Sequence, residues 1–193
     1  MFESIVIDNL LDEKKSGALH NTIMNLADWR FLNDVSGVSN QTYPSHGFVH
    51  VMNHPSSEQK SNMFNHAVSL IVPALIEKNF KFKEIYYSRI FLQLPLAAQY
   101  LKEHNGVHVD LPPEFPHIAG VYYVNDSDGE TIIYNQTIDE VPGNSQNVNL
   151  KEHMRVKPKA GRMVLFDGAR YHCSSQPTLN YRCIINFDFL KGE

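Results

Sequence analysis

The chain has 193 residues, of which 42% are hydrophobic and 20% charged, and a formal net charge of −4. That is one domain's length with enough apolar material for a core, which excludes a disordered polyelectrolyte and removes the need for a disulfide framework. The acidic balance gives no global basic field for nucleic acid. No apolar run reaches the roughly 20 residues of a membrane helix, and Glu3 and Asp8 interrupt what a secretory leader would need, so the expected location is cytoplasmic.

Residues 4–10 (SIVIDNL) read as a short strand, and Asp12 as the cap of a helix whose apolar face is Leu19, Ile23, Leu26 and Ala27, ending near Trp29. Residues 33–57 are rich in Gly, Pro, Asn and Ser and read as loop around one short strand at 48–52. A second helix is expected from about Ser57, with Phe64, Ala67, Val68, Ile71, Leu75 and Ile76 as its stripe and a kink or break at Pro73. Beyond Phe80 the period changes to two. Strands are expected at 82–94, 118–124, 131–134, 148–154, 162–166 and 182–189, separated by turns at 125–129, Pro142-Gly143, 158–161 and Pro177. Short strands without intervening helices predict an antiparallel sandwich or barrel, with the early helices over one sheet. The whole chain, 1–193, reads as one domain: helical support over about 1–80 and a β core over about 81–193.

Ten histidines direct attention to metal or proton chemistry. His108 and Asp110, two apart in an extended segment, point the same way and can reach one ion; His172, arriving from another strand, completes a set of two imidazoles and a carboxylate. The motif HxD alone is weak, and a surface histidine beside a carboxylate is its ordinary meaning. Ten residues after His172 comes Arg182, inside the apolar YRCIINFDF; a strand-edge arginine in solvent is the plain alternative, but a buried guanidinium there needs a partner, and its planar fork suits a carboxylate. His46, His50 and His54 are spaced by four. An extended chain separates them by about 13 Å per step, too far for one ion, so a place along a substrate entrance is the better reading. His104, His117 and His153 read as surface histidines, Arg170 as solvent-exposed, and Cys173 and Cys183 as small buried side chains.

HVD, HIAGVYYVNDSDGET, KAGRMVLFDGARYH and YRCIINFDF, in this order and spacing, resemble the Fe(II)/2-oxoglutarate dioxygenases of the prolyl 4-hydroxylase-like branch. The resemblance is clearest over residues 86–190 and fainter in the opening strand and helix. It implies a mainly β fold with flanking helices, a double-stranded β-helix of the jelly-roll or cupin-like kind. It implies that His108, Asp110 and His172 bind Fe(II) and that Arg182 holds the distal carboxylate of 2-oxoglutarate. Tyr123 matches a tyrosine that often bonds that carboxylate, whereas Tyr122 would pack in the core; Asn186 and Gln93 are further candidates for polar contacts there. O2 is the other co-substrate, and ascorbate a candidate reductant. The implied reaction hydroxylates an aliphatic C–H of a peptide side chain or small molecule, releasing succinate and CO2. No membrane or nucleic-acid partner is expected, and a homodimer is compatible with the reading.

Two departures stand out. The family's Gly-Gly-Glu-Thr turn is Asp128-Gly129-Glu130-Thr131 here, with Gly129 left to supply positive φ. The co-substrate anchor is arginine, where several prolyl hydroxylases use lysine. Residues 95–107 are expected to form a flap and 136–150 a substrate-selecting loop. The competing readings are a cupin-like metal binder that does not use 2-oxoglutarate, a nucleic-acid demethylase of the same superfamily, and a sugar-binding jelly roll.

Overall fold

The computed structural model describes residues 2–35, 45–100, 104–141 and 149–192. In chain order the elements are β1 (Ile5–Ile7), α1 (Glu13–Leu26), β2 (Arg30–Leu32), β3 (Gly47–Asn53), α2 (Asn62–Glu77), β4 (Glu84–Gln93), β5 (His117–Tyr123), β6 (Thr131–Thr137), β7 (Glu152–Val156), β8 (Met163–Asp167), β9 (Arg170–Ser174) and β10 (Arg182–Leu190).

The helix starts follow local chemistry. Asp12 accepts a hydrogen bond from the Lys15 backbone N–H at 2.8 Å and opens α1 as expected. The second helix starts later than its sequence suggests, because Ser61 is the residue that accepts from the Phe64 N–H. It runs unbroken through Pro73, whose neighbours Ile71 and Leu75 are fully buried; packing outweighs the lost backbone bond. The two stripes are narrower than expected, since Leu26 and Ile76 are exposed.

Every strand pair among the described residues is antiparallel. Seven strands form one sheet in the order β1-β8-β5-β10-β4-β3-β2, and three form a second, β7-β6-β9. Both helices cover one face of the large sheet, where Leu19, Ile23, Ile71, Leu75, Tyr122 and Phe187 share a core. The other face packs on the small sheet through Val121, Tyr123, Ile133, Val164, Phe166 and Ile184. A third apolar cluster (Ile132, Tyr134, Tyr171 and Cys173) lies on the outside of the small sheet, against Val107 and Val109. Two packed antiparallel sheets with helices on one side are consistent with a jelly roll.

Sequence periodicity missed β2 and β9 and placed the 148–154 strand early. It runs Glu152–Val156, and Val148 lies outside the described residues, as do the Pro142-Gly143 turn and residues 101–103 of the expected flap. Glycine at 129 does not take positive φ; among the described glycines only Gly161 does. Its role is close approach, since a Cβ there would meet Arg182 Cδ at 3.0 Å and Pro177 Cδ at 3.1 Å. The substituted residue, Asp128, accepts hydrogen bonds from the backbone N–H and hydroxyl of Thr178 and from the Leu179 N–H, tying this turn to the one that leads into β10.

Candidate metal and co-substrate site

Two of the three proposed ligands face each other across a backbone bridge. His108 and His172 exchange reciprocal N–H···O=C bonds of 3.0 and 2.9 Å in an isolated antiparallel pair. Residues directly opposite on one face bring their side chains together, and the two ring centroids lie 4.5 Å apart. Asp110, two residues on, turns its carboxylate to the same point, with Oδ2 at 3.2 Å from His172 Nε2. One ligand atom from each of the three lies within 4.8 Å of the others.

The histidine tautomers follow from their backbone partners. His108 Nδ1 is 2.9 Å from Gly106 O and His172 Nδ1 is 3.2 Å from Arg170 O. A carbonyl only accepts, so each Nδ1 carries a proton, and Nε2 is the ring nitrogen left to face the cluster. Among the described residues, buried His172 Nε2 has no hydrogen-bond partner. A buried acceptor left open beside a second imidazole and a carboxylate fits a divalent metal of the kind that takes mixed nitrogen and oxygen donors.

The electrostatics suit such an ion. Although part of His108 is exposed, the atoms packed around its ring, and next the neighbouring His172, push it down to about 4. Burial opposes ionisation of Asp110, but His172 and Arg89 outweigh it and hold the carboxyl well below the usual range. The cluster therefore presents a neutral His108 imidazole and an ionised Asp110 carboxylate at neutral pH.

These groups line one end of a cavity of about 310 Å³ between the sheets, whose wall also includes Arg182, Thr131, Gln93 and Asn186. Arg182 is buried; its Nε donates to Gly129 O and its Nη2 to Thr131 Oγ1, both at 2.8 Å. Burial pulls its pKa down, yet an arginine stays charged in proteins. Tyr123 does not line the cavity. Its hydroxyl, pushed up to about 12 chiefly by burial, donates to the same Thr131 Oγ1 at 2.8 Å. The Thr131 oxygen thus accepts twice, which leaves its own proton as a donor for the cavity. Gln93, paired with Arg182 across β4 and β10, donates to Gln176 Oε1 at 3.1 Å, while its own buried Oε1 has no hydrogen-bond partner among the described residues. Asn186 faces the ligands: its Nδ2 donates to Asp110 Oδ2 at 3.2 Å.

Several sequence readings need correction. Arg170 is buried, and its Nη1 donates to the Tyr134 and Asn135 carbonyls at 3.0 and 3.1 Å, closing the irregular stretch of β6. His117 is buried too, with Nε2 at 3.7 Å from Asp188 Oδ1. His50 is a packing residue between Asp28 O and Ser61 Oγ. The residue missed altogether is Arg89 of β4, which donates to Asp110 Oδ1 at 2.7 Å and to Asn186 Oδ1 at 3.2 Å. Its signal was present: an arginine in a strand of alternating aromatics is as conspicuous as Arg182.

No protein-family model and no curated protein sequence matches the chain. Solved structures do. A prolyl hydroxylase from Trichoplax adhaerens, in complex with a hypoxia-inducible-factor oxygen-degradation-domain peptide, is similar with a TM-score of 0.60 at 15% identity, over 97% of this chain and 83% of that one. A 2OG-Fe(II) oxygenase family oxidoreductase from Burkholderia pseudomallei is similar with a TM-score of 0.67 at 11% identity, over 98% and 86%. The α-ketoglutarate-dependent epimerase SnoN of nogalamycin biosynthesis gives 0.66 at 8% identity, over 97% and 78%. The chain thus has the fold of the 2OG-Fe(II) oxygenases, prolyl hydroxylases among them, and within that fold a His-Asp-His cluster shares one cavity with a buried arginine.

Proposed function

We propose that this chain is a single-domain Fe(II)- and 2-oxoglutarate-dependent dioxygenase on a double-stranded β-helix. His108, Asp110 and His172 would hold the iron, and Arg182 the far carboxylate of 2-oxoglutarate. The observation that carries the reading is one cavity lined both by the open His172 Nε2 with its two companions and by a buried guanidinium with no carboxylate partner among the described residues.

Iron with 2-oxoglutarate and O2 supplies the oxidising power to hydroxylate an aliphatic C–H, with succinate and CO2 as the other products. The protein supplies orientation and a dry, shaped site. Arg182 offers its remaining N–H groups and Thr131 its hydroxyl proton to an anionic end, and Tyr123 fixes the Thr131 oxygen from behind. The paired backbones of His108 and His172 keep both imidazoles on one point. Apolar Val121 and Ile184 on the cavity wall limit water around the reacting end. Ascorbate would serve to restore the ferrous state.

The substrate class is a peptide side chain or a small molecule. Support comes from the similar prolyl hydroxylase bound to a peptide and from the similar epimerase bound to nogalamycin RO. No described helix is long and apolar enough to cross a membrane, and two free, buried cysteines fit a reducing, cytoplasmic setting.

The test is anaerobic titration of the protein with Fe(II) and 2-oxoglutarate, watching for the visible charge-transfer band of a chelated keto acid. The band is expected in the wild type, absent in Asp110→Ala, and shifted to far higher 2-oxoglutarate concentration in Arg182→Ala. A wild type without the band rejects the proposal.

A further inference from the structure

Asp110 lies outside any ladder. The backbone pairing ends at His108, and the described bonds of the Asp110 side chain come from two residues of the large sheet, Arg89 and Asn186. Those two face each other in register on β4 and β10, in the middle of the seven-stranded sheet. Arg89 is itself confined. Its guanidinium carbon lies 4.2 Å over the centroid of the Tyr87 ring and 5.4 Å from that of Phe91, and its Nη2 is 3.6 Å from buried Asp188. A planar fork held in an aromatic slot is a rigid donor.

We infer that Arg89 is a positioning residue for the metal-binding carboxylate. Its 2.7 Å bond occupies Asp110 Oδ1 and turns Oδ2 toward the two imidazoles. The carboxylate can then give the ion one oxygen rather than two, which keeps a coordination position open for the co-substrates. The inference rests on the proposed metal site and adds what orients it.

Simple charge counting predicts the opposite of positioning. Arg89 is a cation close to the ion's place, so its removal should strengthen metal binding if charge alone mattered. If Arg89 orients the ligand, its removal weakens binding despite the relief of repulsion. Partners of metal ligands commonly change affinity about 10- to 100-fold when lost.

The experiment titrates wild type, Arg89→Met and Arg89→Lys with Co(II) alone. Affinity is followed by calorimetry, the ligand field by visible absorption, and folding by the melting temperature of the metal-free proteins. Arg89→Met is expected to bind about tenfold or more weakly, with altered visible bands. Arg89→Lys keeps the charge but not the fork and should fall between the other two. Equal or tighter binding by Arg89→Met overturns the inference. Should Arg89→Met not fold, wild-type affinity and bands in Arg89→Lys overturn it equally. A wild type that binds no Co(II) removes the metal site itself, and this inference with it; a wild type that binds while the variants match it removes the inference alone.

Discussion

At the scale of single residues, the depressed His108 pKa has a measurable consequence. The folded chain keeps this imidazole neutral down to about 4, against an ordinary value of 6.5. Between those two values the unfolded chain binds a proton that the folded chain refuses, so the stability of the metal-free protein falls as pH drops through that window. Thermal melting of metal-free protein from about pH 7 to about 4.5 should show the decline, and His108→Gln should flatten it. Arg182 lends itself to a binding measurement. Hydrogen bonds to charged groups contribute about 1.5–3 kcal/mol, so Arg182→Ala should weaken 2-oxoglutarate binding roughly 10- to 100-fold while Co(II) affinity stays near wild type. Loss of metal binding in that variant would place Arg182 in the wrong role.

At the scale of elements, β10 carries Arg182, Asn186 and Asp188 on one face, toward the small sheet, and its other face bears Ile185, Phe187 and Phe189 into the helical core. The third polar residue is costly. Asp188 is fully buried, and neither of its carboxyl oxygens has a hydrogen bond among the described residues. Burial, with the Asp110 charge adding to it, raises its pKa well above the ordinary 3.8 despite the nearby Arg89. The folded chain therefore retains a proton that the unfolded chain releases above about 3.8, so this residue's contribution to stability declines as pH rises toward its raised value. Asp188→Asn should match or exceed wild type in melting temperature near pH 8, with a flatter pH dependence; a lower one would show that the residue is ionised and paired in the fold. The turn between β8 and β9 gives a steric test. A Cβ at Gly168 would fall 2.2 Å from His117 Nε2, so Gly168→Ala must displace that buried ring, at about 1–3 kcal/mol by chemical denaturation.

At the scale of the whole molecule, support and chemistry occupy different layers. Ile71 of α2 is fully buried in the helical core, on the far side of the large sheet from the cavity. Ile71→Ala should cost about 2–5 kcal/mol of stability and leave Co(II) affinity unchanged, because distant sites act independently. Much of this layering was legible in the chain. The helix stripes and the change to period two follow from local pattern, and the HVD, His172 and Arg182 set could be picked out as candidates by residue type and spacing. What was hidden depends on pairing between distant segments: the 108–172 bridge, the burial of Arg170 and His117, and the register that places Arg89 opposite Asn186. Asp128-Gly129 was misread for a related reason, since contact with Arg182 rather than backbone torsion decides that glycine. The same layering sets the route by which an ion would leave. His172 and the Asp110 carboxylate are closed in between the sheets, and His108 alone of the three is exposed to solvent. A chelator working from outside would therefore meet His108 first, and the rate at which that imidazole lets go would govern how fast a bound ion is lost.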